Sequence, residues 1–469
     1  MASGYRAPRC GDSLVRHVAA PVTPRPRRRH GGAERRVSTA AAPASARDNP
    51  RVVWSWAFYD WANSAFTTLV VTFIYSTYFT KAMAPDEVTG TAWWSRAVAV
   101  SALLTAVLSP ILGAAADRAG ARKRFLAVAT ALCIGATTLL GLVPPGMANA
   151  GLVALILFVM ADISFETGNV FYNAFLPTIA SPERIGRVSG YGWGLGYVGG
   201  LVCMGIALMG FVRSEAPWFG LSTEAGFNVR ATNFLVAGWF LVFSVPLFLV
   251  VPERRVAGVR VDPRAALREL AQTVRAIRRY AEIVKFLIAR LVFNDGLVTV
   301  FAFGGIYAAG TFGMSLSDVI LFGVVLNVAS GVGAVVFGFV DDRIGGKKTI
   351  LVSLVALSIA TAIAVWAPTR LWFWIAAILI GLFVGPNQAA SRSLMGRFVP
   401  ERHQAEFFGF FAFSGKATSF LGPLLLGTVA QLFDSQRAGV ATVIAFFVVG
   451  GLLLATVNER RGLEGAREG

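Results

Sequence analysis

Gly113-Ala-Ala-Ala-Asp117-Arg118-Ala-Gly120-Ala-Arg122-Lys123 returns 225 residues later as Gly338-Phe-Val-Asp-Asp342-Arg343-Ile-Gly345-Gly-Lys347-Lys348. The shared pattern is G-x-x-x-D-R-x-G-x-[RK]-K. The same offset carries Ser189-Gly190 onto Ser414-Gly415, and Asp162 onto Asn387. Two related halves explain all of these matches. Each copy of the loop is flanked by apolar runs of membrane-crossing length, and a crossing helix needs about 20 such residues. Duplicated bundles of this kind mark transporter folds, with the site between the repeats near mid-membrane.

Composition agrees. Of 469 residues, 55% are hydrophobic and only 15% charged, and the mean hydropathy is +0.62. A soluble domain carries about a quarter charged residues, so this chain is read as an integral membrane protein. A soluble enzyme, a secreted disulfide protein and a disordered regulator are excluded. Twelve spans are expected, near 55–80, 93–115, 125–143, 150–175, 189–211, 231–251, 284–309, 316–339, 349–367, 371–391, 405–431 and 438–457. Backbone groups in lipid must be bonded internally, so the spans are helices. The fold class is all-α, with two pseudo-symmetric six-helix halves at 54–251 and 284–457.

With the N-terminus inside, the interior breaks hold 23 Lys and Arg and the exterior breaks five. This asymmetry places both termini in the cytosol and suits a bacterial inner membrane. It also accounts for the net charge of +17 without nucleic acid. Residues 1–53 form a basic tail expected to be disordered, with ten Arg before residue 51. Residues 252–283 divide six spans from six and read either as a basic amphipathic helix on the membrane face or as a solvated linker. Residues 458–469 form a cytosolic tail. Cys10, Cys133 and Cys203 show no metal spacing, and the three His lie in tail or loop. No metal site, no cofactor and no catalytic residue is expected.

The repeated loop has a mechanical reading. Gly113, Gly120, Gly338 and Gly345 permit tight turns and close helix approach. Asp117 and Asp342 can each meet a cation or a helix terminus of the other half, while Arg118 and Arg343 hold the loop inside. Such a contact can form in one state and break in another, as a gate requires.

Twelve spans in two halves with this loop resemble the major facilitator superfamily. Further stretches narrow the resemblance: Tyr59-Asp-Trp-Ala-Asn-Ser-Ala-Phe66, Phe171-Tyr-Asn-Ala-Phe-Leu-Pro177, Asn294-Asp-Gly296, Pro386-Asn-Gln-Ala-Ala-Ser-Arg392, Ala405-Glu-Phe-Phe-Gly409 and Ser414-Gly-Lys-Ala-Thr-Ser-Phe-Leu-Gly-Pro423. Together they are similar to the vacuole-effluxer branch, whose fungal members are autophagy-related amino-acid exporters. The likeness runs over residues 54–457. Ala121 stands where many members have Arg. The resemblance implies a central cavity lined by spans one, four, seven and ten.

Ionisable groups within spans are functional candidates by default. Asp162, Glu166, Asn169 and Asn173 follow i, i+4, i+7, i+11 and share one face of the fourth span. This stripe should line a water-accessible cavity, as a proton-coupling pair or a binder of an organic ammonium, or else join a structural network with a basic neighbour. Asp60 and Asn63 lie on one side of the first span, where Asp60 serves either a site or a helix start. The seventh span carries Arg290 and Asn294 on one face, with Asp295 pointing away. Asp295-Gly296 reads as locally loosened helix. The tenth span ends in Pro386-Asn387-Gln388, where Pro frees a carbonyl. Lys416 needs an acid, with Asp295, Asp162 and Glu166 all open to it. Arg290 and Lys416 are candidates for a substrate carboxylate or for internal pairs.

The expected function is secondary active transport of a small polar solute, an amino acid or related metabolite, by alternating access and with protons, possibly as efflux. The partners are that small-molecule solute, protons and the lipid bilayer, and a monomer suffices. A non-transporting receptor or scaffold on the same fold, or a membrane-embedded lipid-modifying enzyme, is the alternative.

Overall fold

The computed structural model describes residues 47–213, 217–253 and 277–468, together with 268, 270–272 and 275. The basic tail before residue 47 and most of the expected amphipathic segment at 252–283 lie outside them. The described residues form helices without strands. In chain order these are α1 (Pro50–Ala65), α2 (Glu87–Ala119), α3 (Arg122–Leu142), α4 (Ala150–Ala174), α5 (Ile185–Ala207), α6 (Thr232–Val250) and α7 (Ala281–Phe312). There follow α8 (Leu316–Ile344), α9 (Gly346–Trp366), α10 (Arg370–Phe398), α11 (Gln404–Lys416), α12 (Leu421–Leu432), α13 (Gln436–Ala455) and α14 (Glu459–Glu468).

Local chemistry sets the boundaries. Asp86 caps α2 by accepting from the N–H groups of Val88 and Thr89, and Gly120 ends it in a left-handed turn at φ 56°, where a side chain would be strained. Ser315 and Asp318 form a reciprocal capping box at the start of α8, the arrangement that satisfies two orphan donors at once.

Ten helices among the described residues are long and apolar enough to cross a bilayer. The first and eleventh expected spans are helical but interrupted. After α1 the chain widens into π-helical turns over Phe66–Phe73. Thr67 and Thr72 there turn their hydroxyls onto the Ser64 and Thr67 carbonyls, which competes with regular helix bonding. The eleventh span breaks at residues 417–420 between α11 and α12. Pro423 has no N–H to offer the Ser419 carbonyl, and the Ser419 hydroxyl bonds back to the Lys416 carbonyl instead. Two further expectations change. The tenth span continues through Pro386 to Phe398 rather than ending near residue 391. The chain does not loosen at Asp295-Gly296: α7 runs unbroken, and Gly296 is there because a Cβ would meet the Phe447 ring at 2.7 Å.

Within the first half α1 packs on α5 and α6, and α4 on α2 and α3; within the second, α8 and α9 pack on α10, and α7 on α13. The halves meet where α2 lies along α11 and where α5 lies along α8 and α10. Both seams need backbones in contact. A Cβ on Gly113 would run into the Ala405 carbonyl, and one on Gly338 would sit 2.9 Å from Arg187 Cα. Within the second half, Gly385 of α10 is pressed on the Ser330 carbonyl of α8.

One element was not foreseen. Val251-Pro-Glu253-Arg-Arg follows α6 and Val457-Asn-Glu459-Arg-Arg follows α13. Glu253 accepts from the Lys123 N–H at 2.6 Å, capping α3, while Lys123 Nζ reaches back to the Val251 carbonyl at 2.6 Å. Glu459 likewise caps Gly346 and Lys347 at the start of α9, and Lys347 Nζ holds the Val457 carbonyl at 2.6 Å. Burial lifts the Glu459 carboxyl above the usual carboxylate range, and Arg397 partly offsets this. The residues after the last span are therefore a clamp, repeated once in each half.

The Gly385 contact is against rigid backbone, so Gly385→Val should cost about 1–3 kcal/mol. It should lower the unfolding temperature in detergent, read by scanning fluorimetry. Gly427→Ala, at a helical glycine with nothing within 4 Å, should leave that temperature unchanged or raise it.

Candidate functional site

The polar stripe of α4 faces the seam between the halves, and each of its four members meets a different helix. Asp162 accepts from Ser101 Oγ of α2 at 2.5 Å. Glu166 pairs with Lys416 Nζ of α11 at 2.7 Å. Asn169 Oδ1 accepts from Asn63 of α1 at 3.1 Å, and Asn173 Oδ1 from Arg392 Nη1 of α10 at 3.2 Å. Of the three acids open to Lys416, the structure pairs it with Glu166. That pair retains partial exposure, with side-chain values of 19% for Glu166 and 32% for Lys416.

Asp60 does not serve a helix start. α1 begins at Pro50, with Asn49 as its cap, so Asp60 lies nearly three turns in. Its carboxylate instead accepts from Arg392 Nη1 at 2.9 Å. In the sequence Arg392 closes the Pro386–Arg392 stretch, one residue past the expected end of the tenth span at 391. It became legible as a site residue only once α10 was seen to extend past Pro386, which carries residue 392 into the bundle.

Arg290 is buried beside the break in the eleventh span. Its Nη1 donates to the Phe411 carbonyl at 2.8 Å and to Ser414 Oγ at 2.9 Å. The guanidinium centre lies 3.7 Å from the centroid of the Phe411 ring. Its buried Nε has no hydrogen-bond partner, and no carboxylate pairs with it among the described residues. It is close enough to Glu166 and Lys416 to feel both charges. Asn294 donates to the Gly415 carbonyl at 3.0 Å, and Asp295 accepts from Thr418 Oγ1 at 3.2 Å. The broken helix ends are thus held by α7 side chains. Asn387 is fully buried, and both polar atoms of its amide lack a partner among the described residues. Ser391, also buried with an unpartnered hydroxyl, stands at the repeat position of Glu166. The acid pair of the first half therefore has a neutral counterpart in the second. Gln388 is half-buried beside them.

At the end of the bundle where α1 begins and α14 lies, the tail end, the repeated loops cross between halves. Asp117 accepts from Arg122 Nε at 2.7 Å and from the Glu406 N–H at 2.9 Å, at the start of α11. Asp342 accepts from the Gly186 N–H at 2.8 Å and from Arg187 Nε at 2.5 Å, at the start of α5. Each aspartate thereby caps a helix of the opposite half, where negative charge is favoured. Arg118 ends α2, Arg343 is exposed at the end of α8, and Gly345 turns at φ 91°. The cross-half ion pairs Arg47–Glu401, Arg187–Asp342, Arg392–Asp60 and Lys416–Glu166 descend from the tail edge into the bundle. The halves are closed on each other at this end.

The family described as vacuole effluxer Atg22 like matches residues 83–467. The uncharacterized MFS-type transporter YxiO of Bacillus subtilis (strain 168) is 32% identical over 411 residues, which cover 86% of this chain and 94% of that protein. Autophagy-related protein 22-1 of Penicillium rubens is 23% identical over 306 residues, 59% of this chain and 50% of the relative. The fold is that of the MFS proton:xylose symporter XylE bound to 6-bromo-6-deoxy-D-glucose, with a TM-score of 0.70 at 13% identity over 89% of this chain and 98% of XylE. A two-half helical bundle with these relatives defines a secondary transporter of the major facilitator superfamily. Within it, the chain belongs to the vacuole effluxer Atg22-like family.

Removing one member of the Glu166–Lys416 pair strands the other charge. Glu166→Gln should lower stability by about 1–2 kcal/mol, a figure moderated by the pair's partial exposure. Adding Lys416→Met should restore most of it. Thermal unfolding of the two variants beside the parent checks this.

Proposed function

We propose that the chain carries a small zwitterionic solute of the amino-acid class by alternating access, coupled to protons, in a bacterial inner membrane with the tail end facing the cytosol. One observation carries this reading: Arg290 is a buried guanidinium that, among the described residues, has an unpartnered Nε and no acid of its own, beside an acid–base pair that retains some exposure. Arg forks suit carboxylates in particular. In this reading the solute carboxylate docks on Arg290, and its ammonium competes with Lys416 for Glu166. A proton arriving on Glu166 neutralises the pair and releases Lys416. Asp162, held by Ser101, stands one helical turn away to receive or pass that proton. The break at residues 417–420 gives α11 and α12 freedom to move separately, as interrupted helices do at transporter sites.

Supporting this are the family's description as effluxers and the proton coupling named for XylE, which shares the fold. The excess of Lys and Arg at the tail end supports the orientation. Residues 1–53 serve as a basic tail and 252–283 as the connection between halves.

The test is flux of radiolabelled amino acids in proteoliposomes, with and without a pH gradient. Arg290→Gln should raise KM for carboxylate-bearing solutes by about 10- to 100-fold, the worth of a charged hydrogen bond. Asp162→Asn and Glu166→Gln should abolish the response to the gradient. Gradient-driven flux that survives both acid substitutions defeats the coupling assignment. An unchanged KM in Arg290→Gln defeats the carboxylate site.

A further inference from the structure

Arg392 is a cation of the second half that donates to three residues of the first, Asp60, Asn173 and Ser189. Its Nη1 donates to Asp60 Oδ2 at 2.9 Å and to Asn173 Oδ1 at 3.2 Å. Its Nε donates to Ser189 Oγ at 2.9 Å, and its Nη2 to the Ser189 carbonyl at 2.6 Å. Three rings surround the guanidinium centre, with centroids at 4.9 Å for Trp56, 5.7 Å for Tyr172 and 5.6 Å for Trp193. All three distances are within cation–π range. These walls have support of their own. Trp56 stacks on Tyr172 with centroids 4.5 Å apart, and its Nε1 donates to the Tyr172 carbonyl at 3.0 Å. The floor is Gly192, where a Cβ would lie 2.5 Å from Asp60 Oδ2 and 2.7 Å from Arg392 Nη2.

A carboxylate, three further oxygen acceptors and three aromatic faces form a receptor for an organic cation. One half supplies all of it, and the other half supplies the cation. We infer that this cage is a binding site for a guanidinium or alkylammonium ligand, with Arg392 as its tethered occupant while the tail end is closed. When the halves separate at that end, α10 withdraws Arg392, and Asp60 with its aromatic walls faces the tail-side solvent. A free cation can then take the cage. The tethered side chain has an effective concentration in the millimolar range or above, so a free cation must be present at a comparable level to compete. While bound it keeps Arg392 out and opposes closure. The cage is distinct from the Arg290–Glu166 region, and the inference holds whatever solute that region carries.

The probe is methylguanidinium, with the neutral isostere N-methylurea and equimolar sodium chloride as controls, applied to purified full-length protein. In Arg392→Ala, methylguanidinium should raise the unfolding temperature saturably while neither control does so. The gain should vanish in Arg392→Ala/Asp60→Asn. The parent should show at least a 10-fold weaker response. A second measurement needs no variant to fold: in the parent, hydrogen exchange of the backbone over residues 185–193 and 386–398 should rise with methylguanidinium and not with N-methylurea. The inference is overturned if Arg392→Ala gains nothing, if its gain survives Asp60→Asn, or if exchange in those two segments does not respond in the parent.

Discussion

A charge carried into hydrocarbon must keep its counter-charge or its hydrogen bonds within reach. This constraint organises the bundle. Asp60, Asp162, Glu166, Arg290, Asp295, Arg392 and Lys416 all lie within the long apolar helices, and each is held by a group on a different helix or, for Asp295, by Thr418 in the break between α11 and α12. Because partners come from elsewhere, every such side chain also ties its helix to another segment of the bundle. Electrostatic necessity becomes architecture: α4 is joined to α2, α11, α1 and α10 through four consecutive positions of one face.

Packing supplies what the charges cannot. The seams between halves rest on glycines that let backbones touch, at Gly113 against Ala405 and Gly338 against Arg187. In lipid there is no hydrophobic drive between helices, so close contact and polar bonds must do this work. Glycine seams are smooth and unspecific on their own. The ions set in them give one preferred register, and they can be exchanged for water when the halves part. That combination suits a machine that must close firmly and still reopen.

Much of this was readable from the residues. The span positions follow from hydropathy, the two halves from a repeated loop, and the α4 stripe from its i, i+4, i+7, i+11 spacing. Pairing was not readable. Lys416 could face any of three acids, because partner choice depends on how α11 lies on α4. Arg392 looked like part of a cytosolic basic cluster because Pro386 suggested a helix end; the helix absorbs that proline, whose freed carbonyl at Leu382 lies at the contact with Gly333 of α8. The choice left open for Asp60, site or helix start, turned on the same kind of boundary, since α1 starts earlier than its apolar run. The Val-x-Glu-Arg-Arg repeat was present in the sequence all along, but at a different offset from the loops, and so escaped a search at one fixed spacing.

Asp117 and Asp342 each finish a helix that belongs to the other half. Neither half is therefore complete by itself: its α2 or α8 aspartate is left over, and its α5 or α11 terminus is bare. A chain severed between the halves would have to reunite its fragments to cover those ends. The same reciprocity would let a single ancestral half satisfy itself by pairing with an identical copy, each lending the other the stopper it lacked. Fusion of two such units into one polypeptide changes nothing in that exchange, and leaves each copy free to drift apart in its interior, as the acids of α4 and their neutral counterparts in α10 have done.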